Sequence, residues 1–591
     1  MSRFGSFASF FRRPLESAGG LRARVKGRGK GFEAAVVGVL GVVVGFVAVG
    51  FHAFVEFLHH WAIVALREHG VWVFVSGSFA SVVAASLIAT ALVRGFAKET
   101  AGGGILPTKL AFWRDFGFIR ARTGVVKFFA SAITLGGGVS MGPEGPVAQI
   151  GASVMSTGAG WLGVPKQKRR LYCAGGVAAA IAAVFNAPLA AIAFVLEEIV
   201  GDLSSRLIGG ILLAAVVGAL MAHALIGPQP AFQVQALSDP TWRGLLLVPL
   251  VGVLAAVGGV AGFQKGTLAT RGWVRSLPRS GVPEWAIPTA GALGTWVLGG
   301  VAFWLTGRTG VFGIGYEDVT AAISGELVWS AALVLLLAKL GATFLAVGSG
   351  GCGGIFAPSF FIGAMAGALV AALGGLVLPL TGSDKAMLVM AGMSAGFMAV
   401  IRTPVTAILL IFEVTHQFVV MPFLLLATLV SYVVSNRLER EGLYEGMMRQ
   451  DGEDPNRVLP PRDFRRWREM PVGALATYRA VIATDLSGEG LADLLARNRY
   501  NRFPVVDGEG AVMGVLSRSA AVLALATKQP PKLEPAVWVD GATPLGRVQE
   551  RLLESPSNFL CLGDESQRRL AGVFTLHDLL RGQETLVEVE G

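Results

Sequence analysis

Apolar residues fill long stretches of this chain. Five runs carry no Asp, Glu, Lys or Arg: residues 34–51, 71–93, 207–228, 245–263 and 417–436. About 20 apolar residues take a helix across a bilayer, so each run predicts a transmembrane helix. Between them lie other largely apolar stretches, at 124–158, 171–196, 353–378 and 387–412, interrupted by Gly and Pro. Many look too broken for a simple span. Irregular backbone at membrane depth is tolerated only where it is buried in protein or lines a cavity. The pattern therefore predicts a transporter or channel rather than a receptor or an anchor. After about residue 450 it changes: 451–470 reads as a charged linker, and 471–585 as a small soluble α/β unit.

Composition sharpens this reading. Hydrophobic residues make up 53% of the 591 and charged residues 15%, against about 25% charged in an average soluble protein. Disorder, a disulfide scaffold and an ordinary soluble enzyme are excluded. The 79 glycines have no collagen period and suit closely packed membrane helices. Cys173, Cys352 and Cys561 are far apart, without metal or redox spacing. The net charge of +10 is unevenly placed: residues 1–30 hold eight Lys or Arg and one acid, Glu16. A basic arm of this kind can bind nucleic acid. Next to an apolar run it reads instead as a cytoplasmic N-terminus under the positive-inside rule.

The chain also repeats itself. Asn186-Ala-Pro-Leu-Ala-Ala-Ile-Ala-Phe-Val-Leu-Glu197 lies on Arg402-Thr-Pro-Val-Thr-Ala-Ile-Leu-Leu-Ile-Phe-Glu413 at a spacing of 216, which Gly176 and Gly392 share. Gly142, Pro146, Ile150 and Gly151 match Gly354, Pro358, Ile362 and Gly363 at a spacing of 212. Residues 31–228 and 244–450 thus read as two related halves. Similarity leaves their relative orientation open; an inverted arrangement is the common transporter solution, with substrate near the midplane at half-helix N-termini. Such ends offer unpaired N–H groups and a partial positive charge, which favour an anion. The stretches Gly102-Gly-Gly-Ile105, Gly142-Pro-Glu-Gly-Pro146 and Gly353-Gly-Ile-Phe-Ala-Pro358 suit that role, since glycine permits close backbone approach and proline fits a first helical turn.

Together these motifs resemble those of the CLC family of chloride channels and proton-coupled anion antiporters. Gly142-Pro-Glu-Gly-Pro146 is similar to the family's GxEGP signature, and Gly354-Ile-Phe-Ala-Pro358 to its GxFxP signature. Phe185-Asn-Ala-Pro-Leu189 with Glu197-Glu198, the run Val126-Lys127-Phe-Phe129 and the late Leu443-Tyr444 follow in the family's order over about 31–450. The resemblance implies an all-α polytopic membrane domain of inverted repeats and broken helices, followed by a linker at 451–470. It implies chloride transport, with chloride/proton antiport ahead of a passive voltage- or proton-gated channel, and no enzymatic chemistry or metal. Glu144 would be the gating glutamate: its carboxylate occupies an anion place, and protonation lets it leave for a chloride. Glu198 would transfer protons on the inner side, where channels of the family tend to carry an apolar residue. Gly103, Gly104, Ile355 and Phe356 would supply backbone contacts to the anion, and the Tyr444 hydroxyl would close the inner side. Lys127 would be a cation near the anion route, with a snorkelling lysine as the plainer reading. Glu197 and Glu413 read as structural. The partners implied are chloride, protons, lipid and a second copy of the chain, with no nucleic acid. The implied location is a prokaryotic inner membrane, with the N-terminus and tail cytoplasmic.

The sequence also departs from the family pattern. Ala101-Gly-Gly-Gly-Ile-Leu-Pro107 stands where GSGIP is usual. The missing serine falls at Gly103, or at Gly104 if the gap is placed differently; its loss leaves nitrate and other small anions in play beside chloride. Pro143 stands where arginine is common.

Residues 471–585 resemble a pair of CBS domains, carried by Asn501-Arg-Phe-Pro-Val-Val-Asp507 with Gly514-Val-Leu-Ser-Arg-Ser519, and again by Asn558-Phe-Leu-Cys-Leu562 with Gly572-Val-Phe-Thr-Leu-His-Asp578. Thr575 and Asp578 keep the spacing the family uses for phosphate and ribose of an adenine nucleotide, whereas the first copy has Ser517 but Ala520 in place of the acid. No other cofactor is implied. The plainer reading of Thr575 and Asp578 is a capped helix start.

Overall fold

The computed structural model describes residues 30–165, 168–201, 207–229, 232, 234, 237–452, 471–478, 480–555, 557–564, 566 and 568–579. The basic segment before residue 30, the linker residues 453–470 and the chain beyond 579 lie outside the described residues. The chain divides into two units, Met1–Leu459 and Pro460–Gly591.

The first unit is helical. Its first half contains α1 (Lys30–His59), α2 (Val71–Phe96), α3 (Ile105–Arg114), α4 (Ala121–Gly136), α5 (Glu144–Trp161), α6 (Arg169–Phe185), α7 (Pro188–Phe194) and α8 (Ile208–Leu225). Its second contains α9 (Trp242–Val257), α10 (Ile287–Thr306), α11 (Tyr316–Ile323), α12 (Trp329–Gly348), α13 (Phe356–Gly374), α14 (Gly382–Ile401), α15 (Pro404–Thr415), α16 (Met421–Leu438) and α17 (Leu443–Gln450). Among the described residues, nine helices are long and apolar enough to cross a membrane. All five charge-free runs become such helices. Of the other four, α13 and α14 fall on the interrupted stretches 353–378 and 387–412, and α10 and α12 on neither kind of stretch. Helix α12 carries Lys339 in its middle, and α10 is so rich in glycine that its mean hydropathy is only 1.2. The stretch 353–378, read as interrupted, forms the single unbroken helix α13; its Pro358 sits in the first turn, where a missing N–H costs nothing.

Polarity runs inside out, as a protein dissolved in lipid requires. Val39, Phe46, Leu220 and Leu429 point outward, while Lys127, Glu144, Glu198 and Lys339 are buried. Exposed tryptophans sit near helix ends, Trp72 on α2, Trp242 on α9 and Trp304 on α10, the depth at which amphipathic rings favour the interface.

The two halves meet through reciprocal contacts. Gly142 donates its N–H to Gly354 O at 2.8 Å and accepts from Gly354 N at 2.5 Å, forming an antiparallel bridge between repeat mates. Residue i contacting j while j contacts i is the mark of a twofold relation, which inverted halves require. Each half breaks a helix in the same way. Asn186 ends α6 and Arg402 ends α14 in the left-handed region, at φ 52° and 68°; a proline then opens the short helices α7 and α15. The orphan N–H groups of those starts are capped across the twofold. Glu413 accepts from Leu189 N at 3.0 Å and Ala190 N at 2.7 Å. Glu197 accepts from Val405 N at 3.1 Å and Thr406 N at 2.8 Å. Loss of a helix cap costs about 1 kcal/mol. Glu197 also accepts from Thr406 Oγ1 at 2.6 Å, so Glu413→Ala is expected to lower stability by about 1–2 kcal/mol and Glu197→Ala by more, read as shifts in thermal unfolding of the detergent-solubilised protein.

Helices α5 and α6 cross at Gly151 and Gly176, and α13 and α14 at their mates Gly363 and Gly392. A Cβ on Gly176 would meet the Gly151 carbonyl group and the Ala152 Cα at 2.9 Å. Only hydrogen fits there, which explains much of the glycine content.

The second unit holds two α/β lobes. The first places α18 (Gly488–Arg497) and α19 (Arg518–Thr527) on an antiparallel pair, β1 (Arg502–Val506) and β2 (Val512–Ser517). In the second, β3 (Trp538–Val539) runs parallel to β4 (Phe559–Asp564), which pairs antiparallel with β5 (Arg569–Thr575); α20 (Leu545–Glu554) packs over them. Phe503 and Leu516 lie in one core, and Leu545, Leu560 and Phe574 in the other. Val515 of the first lobe packs with Phe559, Cys561 and Val573 of the second. Burial there pushes the Cys561 thiol up to about 11, so it stays protonated at neutral pH.

Candidate ion-transport site

Three helix starts converge on Glu144. Helix α5 begins at Glu144 itself, α13 begins at Phe356 with Ile355 as its N-cap, and α3 begins after Gly104. The approach is close enough that a Cβ on Gly354 would lie 2.8 Å from Gly145 N and 3.4 Å from Glu144 Oε2. A Cβ on Gly145 would sit 3.1 Å from the Gly103 carbonyl carbon. The Gly-rich motifs thus bring Gly103, Gly104, Glu144, Ile355 and Phe356 together.

The Glu144 side chain is fully buried. Its carboxylate turns back over its own helix start, beside the backbone N–H groups of Glu144 and Ala357. Oε1 accepts a hydrogen bond from the Tyr316 hydroxyl at 3.2 Å, and Oε2 has no partner of good hydrogen-bond geometry. The acid therefore lies where two helix ends direct partial positive charge. The Phe356 ring is wedged edge-on between Phe194 and Phe397, both 4.9 Å away between centroids.

The geometry also separates the two candidate positions for the missing serine. Gly104 has φ +95°, and a Cβ there would drive into the Gly145 carbonyl group. Gly103 has ordinary φ, and its Cβ would meet only Gly353 O at 3.4 Å. A side chain fits at Gly103 and not at Gly104.

Tyr444 lies in the first turn of α17 and is buried. It is near enough to both Glu198 and Glu144 to sense their charges. Glu198 sits in the π-helical turn Val195–Val200 that follows α7. It is buried, and Lys109 of α3 donates to its Oε1 at 2.7 Å. That ion pair was absent from the sequence reading. Two buried charges are retained where each partners the other, and their spacing of 89 residues gave no local motif.

Lys127 does not snorkel. It is completely buried and donates to Thr100 O at 2.9 Å and to Gly102 O, fixing the loop that leads into α3. Lys339, its mate at the 212 spacing, does the same in the other half, donating to Gly310 O at 2.9 Å and Gly313 O at 2.7 Å. Lys339 and Tyr316 both escaped the sequence reading. The repeat spacing already pointed to them: Lys339 follows Lys127, and Tyr316 follows Gly104, at that same 212.

In the tail, Thr575 and Asp578 form a capping box. Thr575 N and Oγ1 donate to Asp578 Oδ2 at 2.9 and 2.7 Å, and Thr477 Oγ1 donates to Oδ1 at 3.1 Å. Both oxygens of Asp578 are already engaged within the second unit. In the first lobe, Asn501, Arg502, Ser517 and Arg518 line an open pocket.

Inverted halves, helix starts aimed at one buried acid, and cations held by loop carbonyls are features that suit ion transport rather than enzymatic chemistry. Comparison with known proteins agrees. The profile described as voltage gated chloride channel matches residues 85–436, and the CBS domain profile matches 477–527. The chain is 30% identical over 429 residues to an H(+)/Cl(-) exchange transporter ClcA of Vibrio campbellii, covering 71% of this chain and 88% of that one. It is 28% identical over 441 residues to the ClcA of Salmonella agona, covering 71% and 89%. The structure of a slow cyanobacterial Cl-/H+ antiporter superposes with a TM-score of 0.61 at 23% identity, over 71% of this chain and 97% of that one. A eukaryotic CLC transporter superposes with 0.59 at 19% identity, over 92% and 97%. The chain belongs to the voltage gated chloride channel family, and is a multi-pass membrane protein with a C-terminal CBS domain.

Proposed function

We propose that the protein exchanges chloride for protons across the membrane. The observation that carries this reading is the fully buried Glu144 side chain lying where three helix starts converge, a place whose partial positive charge suits an anion. Ionised, the side chain fills that place; protonated, it has no charge to hold it there, and a chloride takes its position. Glu198 handles protons from the inner side, and Gly103, Gly104, Ile355, Phe356 and Tyr444 line the anion's route. The exchange named for the Vibrio and Salmonella relatives supports the assignment. The protein works as a homodimer with one route per subunit, and its N-terminus and tail are cytoplasmic.

A second reading, a passive chloride channel, is favoured by one observation: Lys109 already partners Glu198. Purified protein in liposomes separates the two. Under exchange, an imposed chloride gradient drives protons uphill and Glu198→Gln abolishes that movement. Under the channel reading, protons do not move and Glu198→Gln is silent.

Because Gly103 has room for a side chain, Gly103→Ser is expected to fold normally and add a hydroxyl donor to the route. A well-placed hydrogen bond is worth about 1 kcal/mol, so chloride should gain about fivefold over nitrate in competition flux. An unchanged ratio would place the hydroxyl off the route.

A further inference from the structure

We propose that Tyr316 is a positioning residue that latches the ionised Glu144 in its blocking position. The inference deepens the gate reading above and rests on it.

Tyr316 opens α11 directly after Gly315, whose φ of 87° turns the chain sharply. Its placement is over-determined. Lys339 binds the carbonyls of Gly310 and Gly313 in the preceding turn. Asp318 accepts from Gly310 N at 2.8 Å and from Arg308 at 3.3 Å, closing the same turn onto α11. The Phe232 ring packs edge-on against the Tyr316 ring at 5.1 Å, and Phe232 is itself pinned by its N–H to Val414 O at 3.0 Å. The ring therefore has one orientation, and its hydroxyl ends 3.2 Å from Glu144 Oε1.

Tyr316 is half-buried, so its hydroxyl could have been satisfied by water or by a carbonyl. Here the partner is the one acid at the convergence of helix starts. A phenol donating to a carboxylate makes a charge-assisted bond, stronger than one to a neutral acid or amide. The hydroxyl thus holds Glu144 selectively when it is ionised and releases it when it is neutral.

The test uses four full-length proteins: the parent, Tyr316→Phe, Glu144→Gln and the double variant. Chloride binding is measured by titration calorimetry in detergent. Chloride competes with the ionised carboxylate, so loss of the latch should tighten binding about tenfold in the parent background, the order expected of a hydrogen bond to a charged group. In the Glu144→Gln background the change should vanish. Equal changes in both backgrounds, or no change in the parent, overturn the latch. Chloride efflux from liposomes gives an independent reading on the same proteins: Tyr316→Phe speeds it only where Glu144 is present. Glu144→Gln alone examines the underlying reading. If that single change leaves both affinity and flux as in the parent, the gate and the latch fall together; if it alters them and Tyr316→Phe acts equally in both backgrounds, only the latch falls.

Discussion

Glu144→Gln is expected to abolish proton movement while chloride still passes. Glutamine has nearly the shape of the protonated acid and cannot carry a proton. It also lacks the charge that draws the side chain back to the N–H groups of Glu144 and Ala357. Proton flux driven by a chloride gradient should fall by at least ~100-fold, the order that a positioned acid–base group contributes. Chloride efflux should stay at or above the parent level, because the blocking carboxylate is gone. Parallel recordings of pH and chloride in one liposome preparation check both halves of this expectation. Equal loss of both fluxes would show that residue 144 merely supports the fold.

The second large effect concerns the fold. Gly176→Val or Gly392→Val should prevent assembly of the membrane unit. At Gly176 the added Cβ meets the Gly151 carbonyl group and at Gly392 that of Gly363, with backbone on both sides and no flexible side chain to yield. Overpacking a tight core costs about 1–3 kcal/mol where side chains can move, and here the backbone itself must move. The expected outcome is loss of the monodisperse peak in size-exclusion chromatography for both variants. Gly209→Val is the control. Gly209 lies in α8 with nothing within 4 Å of its Cβ position, so the variant should elute like the parent.

The pairing of these glycines shows what the sequence could and could not reveal. The repeat spacings of 216 and 212 identified Gly151 with Gly363 and Gly176 with Gly392 as equivalent positions. They did not reveal that Gly151 packs on Gly176 within the first half and Gly363 on Gly392 within the second, because a helix crossing is set by tertiary packing and not by repeat spacing. The same holds for Glu197 and Glu413. Both were legible as structural acids; that each caps the other half's broken helix follows only from the inverted packing. The convergence of Gly103, Gly104, Glu144, Ile355 and Phe356 was legible because short Gly and Pro motifs encode local helix starts. Lys109 was not, since no short motif marks a lysine for a distant carboxylate; Lys339 and Tyr316 were within reach only through the 212 spacing from Lys127 and Gly104. Mean composition hid α10 and α12 in a similar way: one internal cation, or many glycines, weakens the hydropathy signal without preventing a helix buried against its neighbours.

The tail follows the same logic at lower stakes. Thr575 and Asp578 stand at a strand-to-helix turn, as the spacing implied, and their polar atoms close a capping box there. That arrangement stabilises the helix start whether or not a ligand ever reaches it.

The most direct measurement is a crystal structure of Glu144→Gln grown in bromide, with anomalous scattering to locate the halide. Competition between a carboxylate and an anion for one pocket predicts an anomalous peak where the Glu144 oxygens now lie, within hydrogen-bond reach of Ala357 N. A map with halide elsewhere along the route and none at that position would contradict the account.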